Sequence, residues 1–272
     1  MDGNKKEKEK VLHQFWQRVY KPNVSLYPLM RLLLPQLDSD RPTYGLREST
    51  LGDAYIHALG LSKTLDQAQR LKNYKTPLRV SHGRGGGGGG TNESVGVSGD
   101  FALVLADVLR RYVSVPECTS KLTIGDINHM LDQLANDKDK GSIVRTQVFA
   151  RCVAEMSPLE NMWFTRIITK DLKCGTKQES MLKLFDKDAE DIFNACSSLR
   201  IVCEQVSNPV RTKVTTSPVT YFHACRPMLA SNPKWNEIVA RMRGDPFYVE
   251  PKFDGERILL HKQGGTIKLF TR

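Results

Sequence analysis

Residues 157–179 read SPLENMWFTRIITKDLKCGTKQE, and their punctuation leaves little choice of local structure. Ser157 stands as an N-cap, Pro158 at the first helical position, and Glu160 closes a capping box. Gly175 predicts the stop of a helix over 157–173, and Thr176-Lys177-Gln178-Glu179 repeats the box pattern for a second helix. That second helix carries Met181, Leu182, Leu184 and Phe185 toward a core. A chain built around such a pair folds here as helix–turn–helix.

The same signals recur upstream. VSLYPLMRLLLPQLD (24–38) is apolar almost all round and predicts a buried helix ending near Pro35. STLGDAYIHALGL (49–61) opens on a capping Ser49 or Thr50 and sets Leu51, Tyr55 and Leu59 four apart. SGDFALVLADVLRRYV (98–113) places Phe101, Val104, Leu105, Val108 and Leu109 on one stripe. TIGDINHMLDQLA (123–135) starts with Thr123 and has Asp126 three residues later. The charged MDGNKKEKEK start has no apolar signal-peptide core behind it and reads as a frayed end.

VSHGRGGGGGGTNESVGVSGD (80–100) holds the glycine-rich loop 83–90. A phosphate-cradling P-loop needs Gly-Lys followed by Ser or Thr between strand and helix. No Gly-Lys occurs here and helical patterns flank both sides, so a flexible linker is predicted. After Val206 the texture changes: 207–230 has three prolines and no helical period. We place a boundary there, with a helical domain over 1–225 and a second domain starting at 226. One short helix is expected within NPKWNEIVARMRGD (232–245).

The formal net charge is +10, and from Gln205 to Arg243 six cations face Glu237 alone. Such a surplus attracts polyanions. On the helix at 157–173, Arg166, Lys170 and Lys173 fall at i, i+4 and i+7, opposite Met162, Trp163, Ile167 and Ile168. The stripe reads either as a phosphate-backbone grip, aided by the N-terminus of the following helix, or as a salt-bridged surface. No apolar run approaches the ~18 residues that span a bilayer. The six cysteines form no C-x-x-C pair, and His223 and Cys225 alone do not make a metal site; the pattern reads as reduced, mostly buried thiols of an intracellular protein.

FYVEPKFDGERILL (247–260) forces charge between two apolar flanks. In an extended strand Glu250 and Lys252 share one face while Val249 and Phe253 take the other, toward a core. Gly255 permits a bend, Ile258–Leu260 form a second strand, and Gln263-Gly264-Gly265 turns the chain into the returning arm TIKLFTR. A lysine among carboxylates and an arginine suggests a nucleophile, active when its amine is neutral, aimed at a phosphorus centre. A surface hairpin with an Asp-Gly turn fits the spacing equally.

E-P-K-F-D-G-E-R (250–257) resembles motif I of the covalent nucleotidyltransferases, which comprise ATP-dependent DNA ligases, RNA ligases and mRNA-capping guanylyltransferases. RIITKDLKCG (166–175), RPMLA (226–230), LYPLMRLLLPQLD (26–38), LKNYKTP (71–77) and SGDFA (98–102) are similar to the DNA-binding region of the end-joining eukaryotic DNA ligases. The resemblance implies a mainly α chain: an all-helical DNA-binding domain, then the initial β-hairpin of an α+β nucleotidyltransferase (adenylation) domain truncated at Arg272. It implies that Lys252 takes AMP from ATP, with Mg2+ as metal. Glu250, Phe253, Arg257 and Arg272 would bind the nucleotide, Asp254 and Gly255 would shape the loop, and Arg166, Lys170 and Lys173 would touch DNA. Nicked or broken duplex DNA, end-joining scaffold and repair proteins, and a nuclear location follow from the family role. The resemblance also implies that later pocket motifs are missing, so the chain alone is expected to be inactive. The alternative is an inert module that binds DNA ends or a repair partner, and an RNA ligase or capping enzyme would share motif I but not the long helical region.

Overall fold

The computed structural model describes residues 2–19, 24–76, 99–117, 119–137, 143–208, 221–226, 231–251, 255–256 and 258–271. The glycine-rich loop, and with it most of 80–100, lies outside them. The described residues are mainly helical and divide into two compact units, Val24–Gln178 and a second made of Met1–Asn23 with Glu179–Arg272.

The chain opens with α1 (Asp2–Val19), so the expected frayed start is a helix. Its last turns carry Trp16, which is buried with its ring centroid 5.0 Å from that of Phe185. An aromatic anchor of this kind gives a charged helix the tertiary contact that its own propensity lacks.

Among the described residues, seven helices make the unit 24–178: α2 (Tyr27–Leu33), α3 (Glu48–Ala58), α4 (Asp66–Lys72), α5 (Phe101–Leu109), α6 (Ile124–Asn136), α7 (Ile143–Glu155) and α8 (Pro158–Ile168). A 3-10 turn at Pro35–Leu37 follows α2, where Pro35 was expected to end the helix. The centre is α5, seven of whose nine residues are buried, which is why its sequence FALVLADVL carries one charge. Ala102 and Ala106 meet Met162 of α8, and these small side chains let the two helices approach closely. Tyr55 of α3 packs edge-on against Phe149 of α7 at 5.1 Å. Each such buried large side chain contributes roughly 1.5–3 kcal/mol relative to exposure.

Two helix starts follow the sequence pattern. Thr123 and Asp126 form a capping box on α6, and Ser157 and Glu160 form one on α8. A third does not: α3 begins at Glu48 with Arg47 at the cap position, and no side chain caps it.

The end of α8 is the main correction to the helical reading. The helix stops at Ile168, not at Lys173. Asp171 N donates to Arg166 O at 3.0 Å and Lys170 N to Ile167 O at 3.1 Å, the paired bonds of a Schellman turn. Its left-handed position is filled by Lys170, at φ +57°. The end of α3 uses the same bonds with Gly60 in that place, at φ +64°. Lys173 is left-handed too, at φ +51°. The three cations therefore do not share a helical stripe.

In the second unit, α9 (Gln178–Phe185), α10 (Ala189–Cys196) and α11 (Leu199–Ser207) bury Leu182, Ile192, Phe193, Val202 and Cys203. Arg226 N donates to Asn194 O at 2.8 Å, and its guanidinium lies over the Phe193 ring at 4.8 Å. The short helix expected after it is α12 (Trp235–Met242). The hairpin is present as β1 (Ile258–Gln263) and β2 (Thr266–Thr271), antiparallel, with Gln263 opposite Thr266 and Gly264 at φ +56° in the turn. The strand expected to carry Val249, Glu250 and Lys252 does not form over its described part: residues 246–251 carry no regular structure and Val249 is 82% exposed rather than in a core. Among the described residues no strand lies beside this stretch to pair with it, and an isolated extended segment has nothing to hold it as sheet.

Candidate nucleic-acid interface and nucleotide hairpin

Asp100 precedes the apolar run of α5 and acts as its N-cap, accepting from Ala102 N at 3.0 Å and Leu103 N at 3.4 Å through Oδ1. Its other oxygen, Oδ2, meets Arg166 Nη2 at 3.0 Å and Lys173 Nζ at 3.3 Å. Burial pushes this carboxyl up, but Lys173 and Arg166, with the helix N–H donors, hold it below the usual carboxylate range. Arg166 is itself buried, donates to Leu172 O at 3.3 Å and lies over the Trp163 ring at 5.2 Å. Of the three cations named from the sequence, Arg166 is thus engaged inside the fold. Lys173 shares Asp100 with it but keeps 45% of its side chain exposed.

Lys170 sits apart from that pair. Its ammonium donates to the carbonyl oxygens of Arg41 and, at 3.5 Å, Asp38. Burial and the neighbouring Arg41 charge lower its pKa from the ordinary lysine value, against the opposing pull of Asp38. The loop it grips is organised by a polar network that sequence periodicity does not reveal. Arg41, 1% exposed, donates to Asp132 Oδ1 at 2.7 Å and to Asn128 O and Oδ1 at 2.9 and 2.8 Å. Arg31 donates to Asp38 at 2.8 Å. The partners of Arg41 stand about ninety residues away in the chain, so no local pattern announces them. Asp100 is different: an aspartate immediately before an apolar helical run is a legible N-cap, although its pairing with Arg166 is not.

Within the motif at 250–257, Glu250, Pro251, Gly255 and Glu256 are exposed. Lys252, Phe253, Asp254 and Arg257, and likewise Arg272, lie outside the described residues. The motif runs directly into β1, whose pairing brings Ile258 opposite Thr271. On one hairpin face Ile258, Leu260, Ile267 and Leu269 are each more than half exposed, while His261 on the other is buried and accepts from Phe222 N at 2.9 Å. Among the described residues no group of three His, Cys, Asp or Glu side chains is placed to hold a metal ion. Cys152, Cys196 and Cys203 are buried, and burial pushes the Cys203 thiol up to about 12. No helix among the described residues is long and apolar enough to cross a membrane.

Residues 1–186 match the family described as DNA ligase N terminus, and residues 227–272 match the ATP dependent DNA ligase domain. The chain belongs to the ATP-dependent DNA ligases. Within that family it is similar to DNA ligase 4 of Homo sapiens, 36% identical over 251 residues that cover 91% of this chain and 25% of the relative. DNA ligase 4 of Coprinopsis cinerea is 36% identical over 265 residues, covering 96% of this chain and 24% of the relative. DNA ligase 4 of Arabidopsis thaliana is 32% identical over 271 residues, covering 98% and 20%. This ligase-family chain spans about a quarter of the length of the curated relatives it matches. The mainly helical fold with its closing hairpin fits both family matches.

Proposed function

We propose that this chain is the DNA-gripping and AMP-accepting front part of an end-joining ligase that seals strand breaks through a lysyl-AMP intermediate. The observation that carries the reading is the octet E-P-K-F-D-G-E-R at 250–257, inside the residues that match the ligase domain and leading straight into a β-hairpin.

The neutral amine of Lys252 attacks the α-phosphorus of ATP. A P–N bond forms, the P–O bond to pyrophosphate breaks, and the amine gives up a proton. Glu250, Phe253, Arg257 and Arg272 hold the nucleotide around it, the arginines suiting phosphate oxygens. AMP then passes to a 5′-phosphate at a break, and a 3′-hydroxyl displaces it. The family role brings Mg2+ to this chemistry, although no group of three His, Cys, Asp or Glu side chains among the described residues is placed to hold it. The helical unit supplies sequence-independent phosphate contacts, nicked or broken duplex is the substrate, and repair scaffold proteins in the nucleus are the partners.

By itself the chain takes no AMP. Glu250 and its neighbours from Phe247 to Pro251 are exposed, and four apolar side chains of the hairpin face solvent, so among the described residues nothing encloses a nucleotide there. This exposure favours the second reading for the isolated chain, an inert module that occupies DNA ends. The test is incubation with ATP labelled at the α-phosphate. The 272-residue chain is expected to stay unlabelled, while a chimera continued past Arg272 with the human DNA ligase 4 sequence becomes labelled. Robust labelling of the chain alone refutes its inertness; an unlabelled, folded chimera refutes the ligase reading.

A further inference from the structure

We propose that an apolar cavity between α6 and the start of α8 accepts one lysine or arginine side chain from a basic segment of a protein partner. Such a seat is independent of the ligase reading and adds a contact that neither the DNA grip nor the nucleotide hairpin uses.

Leu122, Ile127, Met156, Trp163 and Phe164 are among the apolar residues that line it. The cavity measures about 180 Å3, below the ~300 Å3 or more that encloses a drug-sized ligand, so it suits a single side chain. Trp163 keeps 39% of its surface exposed although Met162 and Phe164 beside it are buried, so the apolar wall opens to solvent.

The lining holds one charged group, Glu160. Its Oε2 closes the α8 capping box by accepting from Ser157 N at 2.8 Å, and its Oε1 has no partner among the described residues. Ser120, also in the lining, accepts from Leu122 N at 3.2 Å and keeps a second lone pair on the same oxygen. Both open positions are acceptors, so the missing group is a donor. Arg166, over the Trp163 ring, does not serve, because Asp100 already neutralises it at 3.0 Å. Lys121 is exposed between Ser120 and Leu122 and is not part of the lining.

The occupant follows from this mixture of hydrocarbon and a single carboxylate. A purely aliphatic side chain leaves the Glu160 oxygen unused. A phosphate of nucleic acid or lipid is repelled by it, even on a chain whose net charge of +10 favours anions elsewhere. Lysine and arginine carry an apolar stem and a cationic head, so the stem lies along the hydrocarbon wall while the head reaches the oxygens.

The test uses the 272-residue chain with isotopically labelled indole nitrogens, whose three N–H signals belong to Trp16, Trp163 and Trp235. Trp163→Phe identifies the relevant signal. The probes are acetyl-Ala-Ala-Lys-Ala-Ala-amide and its analogues with arginine, norleucine or glutamate at the centre. The lysine and arginine peptides are expected to shift the Trp163 signal saturably and to leave those of Trp16 and Trp235 unmoved. Norleucine should bind about three- to tenfold more weakly, and glutamate not at all. Glu160→Gln keeps the capping box and removes the charge, so it should bring lysine down to the norleucine level and leave norleucine unchanged. Should this variant fail to fold in a thermal melt, a salt series on the wild type reads the same charge: lysine binding weakens as salt rises and norleucine binding does not. Equal binding of lysine and norleucine, or a lysine affinity unmoved in folded Glu160→Gln, overturns the proposal. So does a Trp163 signal that no peptide moves, or one that duplex DNA moves and the peptides do not.

Discussion

Asp100 and Arg166 are 66 residues apart in sequence and 3.0 Å apart in the fold. The single carboxylate caps α5 with one oxygen and receives Arg166 and Lys173 with the other. It therefore couples the central helix to the turn after α8.

This coupling predicts an acid-sensitive stability. The folded pKa of Asp100 lies below its unfolded value, since its cations outweigh the upward push of burial. Its contribution is complete above an unfolded pKa of about 3.9 and is lost as pH falls through the lower folded value. Asp100→Asn keeps a capping oxygen but removes the charge, and is expected to lower stability at pH 7 by about 1–3 kcal/mol. Urea midpoints between neutral and acidic pH should show the wild-type and variant curves converging at the acid end. Curves that stay parallel would remove the pair from the account.

Arg41 should tolerate no substitution. Replacing it by Met leaves Asp132 and Asn128 without their shared donor and removes a charge 3.9 Å from Asp38, at an expected cost of about 3–5 kcal/mol in denaturant unfolding. Arg41→Lys should not restore stability, because one ammonium cannot reach the separate acceptors that the guanidinium fork serves. A lysine variant of wild-type stability would contradict this.

A third prediction concerns a polar knot in the apolar core. Tyr55 OH donates to Asn161 Oδ1 at 2.9 Å, and Asn161 Nδ2 donates to the carbonyls of Cys152, Met156 and Ser157. Both residues are fully buried. Tyr55→Phe should cost about 1–3 kcal/mol by stranding the Asn161 oxygen. Asn161→Leu should cost more, since it strands the Tyr55 hydroxyl and removes a side-chain bond from each of three carbonyls, of which Cys152 O and Ser157 O keep a backbone donor. Equal midpoints for wild type and Tyr55→Phe would show that the bond contributes nothing.

What the sequence revealed was local. The boxes at Thr123 and Ser157 and the turn at Gly264 each depend on residues within a few positions, and all three stand in the structure. The α8 stripe failed because a Schellman turn set Lys170 left-handed, a conformation that a glycine-based stop rule does not expect. The start of α1 was misread because its stabilising contact, Trp16 on Phe185, is not local. No strand forms over 247–251 for a related reason: alternation describes a face, and sheet requires a partner. At the motif itself the residue types alone suggested a nucleophilic lysine, and the family match gave that suggestion its context.

The most direct measurement is to locate the AMP. A chimera carrying this chain and the remainder of human DNA ligase 4 would be labelled with ATP, digested, and its peptides analysed by mass spectrometry. The account predicts AMP on the peptide containing Lys252 and no labelling after Lys252→Ala. Adenylation at another residue, or undiminished labelling of the Lys252→Ala chimera, would contradict it.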